Sequence, residues 1–343
     1  MLLQALVFVL GLAILYMGAD WLVQGASSVA LRFGIRPLVV GLTIVALGTS
    51  MPELLLNMFA ILLGEDALAI GNVVGSNIAN IALILGLSAT LLPLSISRQT
   101  LLREYPMMMA VLLVFWLLAS DLLLSRLDGA ILLSGLGMFI TWLVFDSVSH
   151  ARSLSAQEKS TPLVPHEDEN AGPAERRVSR LIARIGSNRL APWARVVLLV
   201  AGIAALAMGA QLMVTSAIAI AEMLQIRPVV IGLTIVAIGT SLPELAASMM
   251  CAVKKEADMS VGNILGSNML NVLFVIGAVA LLEPIHVEQE TINVHFPIMM
   301  AFSAVLFPLV RFRYELNRVG GLLLLLGFVS YMLFLLLPYL EVY

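Results

Sequence analysis

The sequence predicts an all-α polytopic membrane protein whose ten transmembrane helices form two inverted five-helix repeats. Three observations carry that reading. First, 60% of the 343 residues are hydrophobic and only 12% are charged, with a mean hydropathy of +1.01. A soluble domain has about 45–50% apolar and about 25% charged residues. Charge at half that level cannot coat a water-facing surface, so a soluble enzyme is excluded. Second, the apolar residues number roughly 206, and at about 20 per span they supply about ten crossings. Third, Arg36–Gly86 and Arg227–Gly277 align without a gap at an offset of 191 and share 24 of 51 positions. The net charge of -3 offers no basic face for nucleic acid. The single cysteine, Cys251, excludes an intrachain disulfide.

The spans follow in order. Leu2–Val29 has no basic stretch before it and continues into apolar sequence, so it reads as a first span and not as a cleaved leader. Pro37–Leu63, Ala67–Leu92, Thr100–Ala119 and Asp128–Phe145 complete the first half. The run Tyr105–Phe145 is too long for one span and is divided at Ser120–Asp128. Trp193–Ala221, Pro228–Val253, Met259–Leu282, Thr291–Val310 and Arg318–Leu340 make the second half. Between them, Ser147–Pro192 is rich in Ser, Pro, Arg and Glu and reads as a solvated loop. The expected organisation is a first repeat over 1–146, a loop over 147–192 and a second repeat over 193–343.

Basic residues orient the bundle. With the N-terminus outside, 17 of the 19 fall on one side, including those of the long loop; only Arg126 and Arg227 fall on the other. The loop is therefore expected in the cytoplasm and both termini outside. The expected setting is the cytoplasmic (inner) membrane of a prokaryote, with the lipid bilayer as surroundings and no obligatory protein partner. Trp21, Trp116, Trp142 and Trp193 suit interfacial anchoring, as do His286 and His295 near the outer surface.

The repeat register extends outward through Gly11/Gly202, Gly18/Gly209, Pro93/Pro284, Pro106/Pro297 and Gly129/Gly320. Five spans per copy is an odd number, so the second copy enters the membrane upside down. Inverted repeats are a transporter architecture, with the site at the midplane between copies.

Chemistry concentrates in two segments, Gly48–Glu53 (GTSMPE) and Gly239–Glu244 (GTSLPE), each about halfway along a span. A proline inside a helix removes a donor to the carbonyl four residues back. Pro52 thus frees Gly48, Pro243 frees Gly239, and the nearby carbonyls of Ala46 and Ala237 are expected to loosen. Irregular backbone at this depth belongs where it is buried in protein or lines a cavity. Thr49, Ser50, Glu53 and Asn57 share one helix face, as do Thr240, Ser241, Glu244 and Ser248. The following helices present Asn72, Ser76 and Asn80, or Asn263, Ser267 and Asn271, at i, i+4, i+8. Glycines around them allow close helix approach.

The resulting set is all oxygen, without His, Cys or positive charge. It suits hard ions such as Ca²⁺, Na⁺ or Mg²⁺ rather than Zn²⁺ or Cu⁺. Asn and Ser in membrane helices also serve simply as interhelical hydrogen-bonders, and for Asn72, Asn263, Asn77 and Asn268 both readings stand. The glutamates differ, because a mid-membrane carboxylate costs roughly 2.5 kcal/mol or more to insert. Met107–Met109 and Met299–Met300 read as packing, and Asp20, whose repeat mate is Gln211, as a solvated group near a helix end.

At these residues the sequence resembles the cation/calcium exchanger superfamily in its short prokaryotic sodium/calcium antiporter form. The paired GTSxPE and GNxxGSN motifs look like the two alpha repeats of that family, and the resemblance spans the whole transmembrane chain. It implies that Glu53 and Glu244 coordinate Ca²⁺ and line Na⁺ sites. It further implies ligands at Thr49, Ser50, Thr240 and Ser241, at the carbonyls of Ala46 and Ala237, and at Ser76, Ser267, Asn80 and Asn271. Some family members carry aspartate where this chain has Asn271, a departure that bears on stoichiometry and potassium dependence. No cofactor is implied; the ions are cargo.

With both glutamates ionised the pocket carries a charge of about -2, which is expensive to move through low dielectric. One Ca²⁺, or at least two Na⁺, cancels it, so loaded forms switch access and the empty form is trapped. The resemblance implies that the first and sixth spans move across the paired core. The residues leave open a Ca²⁺/H⁺ antiporter on the same scaffold. A channel fits one inverted-repeat chain less well, and an intramembrane enzyme would need a nucleophile with a base or metal-binding histidines.

Overall fold

Within a bilayer the backbone must satisfy itself, so apolar runs become helices. In the computed structural model, which describes residues 1–33, 35–160, 192–224 and 237–340, the helices are as follows. The first half holds α1 (Leu2–Phe33), α2 (Pro37–Thr49), α3 (Met51–Leu62), α4 (Asp66–Leu91), α5 (Arg98–Asp121) and α6 (Arg126–Ser160). The second holds α7 (Pro192–Met223), α8 (Ala237–Thr240), α9 (Leu242–Val253), α10 (Ala257–Leu282), α11 (Thr291–Arg311) and α12 (Arg318–Leu340).

Eight of these are long and apolar enough to cross a membrane, and the bent pair α2–α3 brings the number to nine among the described residues. α9 is a shorter apolar helix. The expected span Pro228–Val253 is described only from residue 237, and Arg227 lies outside the described residues. The division of the run Tyr105–Phe145 is present: α5 ends in a tight turn at Ala119–Asp121 and α6 begins at Arg126.

One boundary differs. The change of composition at Ser147 does not end a helix, because α6 continues to Ser160. Ala, Arg, Leu, Gln, Glu and Lys all propagate a helix well, and a preceding span removes the cost of nucleation. Residues 161–191 lie outside the described residues.

Two short ladders join the halves. β1 (Leu94–Ser95) pairs antiparallel with β4 (Glu315–Leu316), and β2 (Leu123–Leu124) with β3 (Ile285–His286). They mark opposite ends of the bundle, since Asp66 at the start of α4 bonds His286 while β1 follows the end of α4. The β1 end gathers Arg36 with Glu104 and Asp146, Arg103 with Asp146, and Lys254 with Asp20 at 2.5 Å. Asp20 is therefore an ion-pair partner rather than a merely solvated group. The β3 end holds Arg126 beside Glu283.

Burial sorts the helices. α4 and α10 are buried over 72% and 83% of their apolar windows, but α1 and α7 over only 22% and 28%. α1 and α7 pack antiparallel, Gly11 against Gly209 and Gly18 against Gly202. A Cβ on Gly18 would stand 2.6 Å from the Leu206 nitrogen, and one on Gly202 2.6 Å from the Leu22 nitrogen. Only a bare backbone fits there. The main apolar core surrounds α4 and α10, and a smaller one joins α1 and α7 to the flanks of α2 and α9.

Candidate cation site

The helix breaks build the site. The chain leaves helical geometry at Ser50 (φ -85°, ψ 4°) and again at Ser241 (φ -88°, ψ 5°). α2 and α3 meet there at 44°. Proline is tolerated in a first turn, where its missing N–H had no partner to lose. Pro52 and Pro243 accordingly sit in the first turns of α3 and α9. The same turns hold Glu53 and Glu244, each 1% exposed. The positive end of a helix dipole favours a carboxylate at that place.

The backbone is tighter than the sequence suggested at Ala46. Its carbonyl accepts the Ser50 N–H at 2.9 Å and the Thr49 hydroxyl at 3.2 Å. Pro52 removes the donor facing Gly48, not the one facing Ala46. Ala237 opens α8, and its side chain lies outside what is described.

Side chains then cross between the halves in matched pairs. Thr49 Oγ1 donates to Asn263 Oδ1 at 3.3 Å, and its repeat mate Thr240 to Asn72 Oδ1 at 3.4 Å. Asn80 Nδ2 donates to Asn268 Oδ1 at 2.9 Å, and its mate Asn271 to Asn77 Oδ1 at 3.4 Å. Ser50 Oγ donates to Glu244 Oε1 at 3.3 Å. Asn263 also donates to Ser248 Oγ at 2.9 Å. Asn72, Asn263, Asn77 and Asn268 thus serve as interhelical bridges.

What remains unpaired is informative. Among the described residues, eleven buried side-chain oxygens have no hydrogen-bond partner. Nine of them belong to Glu53 (both oxygens), Glu244, Asn57, Asn80, Asn271, Ser76, Ser241 and Ser267. Each buried oxygen left so costs about 1–3 kcal/mol. Native proteins carry few such groups per hundred residues, so nine on the faces predicted for ion binding need a common cause. Two amide nitrogens on the same faces, Asn57 Nδ2 and Asn72 Nδ2, are unpaired as well, but oxygens outnumber them, and a hard cation takes 6–8 oxygens. The Ser50 hydroxyl, three residues before Glu53, reaches Glu244 and so brings the two carboxylate-bearing segments together. A divalent cation, or two monovalent ones, would relieve both the repulsion and the missing bonds.

Two segments add backbone irregularity at the same level. π-helical turns run from Asn80 to Leu85 and from Asn271 to Ile276, again 191 apart. The first packs against α9 and the second against α3, so each asparagine stands by the glutamate helix of the other half. A cavity of about 270 Å³ borders the site at Asn72 and Ser76 and is lined also by His295 and Tyr331.

Other residues singled out in the sequence have partners of their own. His286 is exposed and bonded to Asp66, whereas His295 is half-buried and bonded to the Tyr331 hydroxyl. Trp116 stacks on Phe296. Met108 and Met299, read from sequence as packing, are fully buried and also accept hydrogen bonds, from Asn268 and Asn77. The available signal was their match at the repeat offset.

Comparison with known proteins gives a consistent picture. The profile of the family described as "Sodium/calcium exchanger protein" matches residues 3–145 and 194–337. The Inner membrane protein YrbG of Escherichia coli (strain K12) is 35% identical over 334 residues, covering 97% of this chain and 96% of that protein. The Sodium/calcium exchanger MaX1 of Methanosarcina acetivorans is 31% identical over 341 residues, covering 96% and 97%. A solved structure of the sodium-calcium exchanger NCX_Mj superposes with a TM-score of 0.75 at 29% identity, over 97% of this chain and 99% of that one.

Proposed function

This chain belongs to the sodium/calcium exchanger protein family, and from that premise we infer that it is a secondary antiporter exchanging Na⁺ for Ca²⁺ by alternating access. It is an integral membrane protein, and the relatives named as exchangers are not enzymes. The observation that carries the reading is the pair of buried, repeat-matched carboxylates among nine unpaired oxygens. The ligands are Glu53, Glu244, Thr49, Ser50, Thr240, Ser241, Ser76, Ser267, Asn80 and Asn271. The carbonyls of Ala46 and Ala237 join them; at Ala46 the Thr49 hydroxyl yields its place to the ion and keeps its other acceptor, Asn263 Oδ1.

The architecture is ten spans in two inverted five-helix repeats, α8 and α9 forming part of the seventh. Support comes from contacts that exchange partners at an offset of 191, such as Thr49–Asn263 with Thr240–Asn72. The basic β1 end faces the cytoplasm and both termini face outside, in keeping with the ion pairs gathered there.

Charge explains the coupling. Two ionised glutamates hold a charge of about -2, which one Ca²⁺ or two Na⁺ neutralise, and only neutralised forms cross the barrier cheaply. The sparsely buried α1–α7 pair slides across the rigid α4–α10 core to expose the site to either side. Their packing against each other in a smaller apolar cluster, which touches the core only at the flanks of α2, α9 and the start of α10, supports that division.

The experiment is flux in proteoliposomes with defined ions on each side. A Na⁺ gradient at fixed pH and voltage drives Ca²⁺ uptake. Uptake driven by a pH gradient alone, with no response to Na⁺, would replace this reading with Ca²⁺/H⁺ exchange. Ca²⁺ movement without any counter-ion would indicate a channel.

A further inference from the structure

Amides present two unlike faces, and a cation needs the oxygen. Asn80 and Asn271 could equally turn an NH₂ group towards the ion. Something must set their orientation.

Two hydrogen-bonded chains do so. In one, Asn271 Nδ2 donates to Asn77 Oδ1 at 3.4 Å, and Asn77 Nδ2 donates to Met299 Sδ at 3.8 Å. In the other, Asn80 Nδ2 donates to Asn268 Oδ1 at 2.9 Å, and Asn268 Nδ2 donates to Met108 Sδ at 3.7 Å. All six residues are buried, each 0–1% exposed. Every member maps onto its counterpart at an offset of 191.

The chemistry of the terminus fixes the whole chain. A thioether sulfur accepts and cannot donate. The amide facing it must therefore offer its NH₂, which aims its oxygen at the next asparagine. That asparagine must then offer its own NH₂, which leaves its oxygen for the site. Oδ1 of Asn80 and Oδ1 of Asn271 are indeed among the unpaired oxygens. The geometry points to Asn77 and Asn268, each backed by a methionine, as positioning residues that orient the ligand amides oxygen-first. This inference rests on the proposed ion site.

The test is a double-mutant cycle read by Na⁺-driven Ca²⁺ uptake. Asn77→Leu removes the acceptor for Asn271, and its apparent KM for Ca²⁺ should rise about tenfold, with the maximal rate within about twofold. Met299→Leu conserves volume and should raise KM about threefold, which keeps the idea testable if Asn77→Leu fails to fold. The deciding background is Asn271→Asp. A carboxylate has an oxygen on both faces and needs no orienting, and it has no N–H for Asn77 Oδ1 to accept, so there Asn77→Leu or Met299→Leu should no longer raise KM. An equal shift in both backgrounds would mean a packing role only and would overturn the inference. So would an unchanged KM in both single variants. Glu53→Gln run alongside separates the two claims: if it transports normally, the ion site itself is wrong and the orientation chains fall with it. If it is inactive while the cycle shows no coupling, only the orientation chains fall.

Discussion

The α4–α10 pair and the α1–α7 pair are helices of similar length that solve the membrane differently. α4 and α10 are mostly buried and line their faces with Asn and Ser. α1 and α7 turn most of their surface outward and meet through Gly11, Gly18, Gly202 and Gly209. Polar side chains lock neighbours into one register by directional bonds. Smooth glycine contacts hold helices close without specifying register in that way. In the proposed reading, α4 and α10 complete a site whose carboxylates stand on α3 and α9, while α1 and α7 supply the movement.

The sharpest break of that contrast is at the carboxylates. Glu53→Gln and Glu244→Gln, made singly, should each lower Na⁺-driven Ca²⁺ flux by about 100-fold or more, the equivalent of losing about 3 kcal/mol from a charged contact. Normal flux in either would remove binding from the core. Next comes the moving pair. Gly202→Leu forces a side chain against the α1 backbone and should slow turnover about tenfold through overpacking. Ca²⁺ binding to the purified variant, measured by radioisotope, should stay within about twofold; a loss of binding instead would deny the division of labour.

Smaller effects refine the core side. Gly262 packs on α2, where a Cβ would stand 2.4 Å from the Leu38 carbonyl oxygen. Gly262→Ala should cost about 1 kcal/mol, seen as a lower thermal midpoint in detergent. Ser50→Ala removes the hydroxyl that Glu244 accepts, and apparent KM for Ca²⁺ should rise about threefold. The smallest change is expected at Asp20–Lys254, a pair 31% and 27% exposed. Asp20→Asn should alter stability by no more than about 0.5 kcal/mol.

Much of this was legible in the sequence, for identifiable reasons. Proline leaves a local mark, so the breaks before Pro52 and Pro243 could be placed without any fold. Helical spacing put Thr49, Ser50 and Glu53 on one helix face, whereas the structure divides them between the end of α2, the break and the first turn of α3, a bend that spacing alone does not show. Where contacts join segments far apart in the chain, the sequence was silent. Asp20 meets Lys254 across 234 positions, and neither residue has a charged repeat mate to betray the pair. Met108 and Met299 resemble any buried methionine until Asn268 and Asn77 are seen beside them. The extension of α6 to Ser160 escaped because solvated composition speaks of exposure and not of backbone geometry.

The bonds from Asn80 to Asn268 and from Asn271 to Asn77 also set a schedule for biogenesis. A ribosome adds about 5–20 residues per second, so some 190 residues separate the partners by about 10–40 s. During that interval the asparagines, serines and Glu53 of the first half lack the groups that later enclose them. Folding of the ion-binding faces is therefore necessarily post-insertional for the first half and can be completed only as α10 arrives.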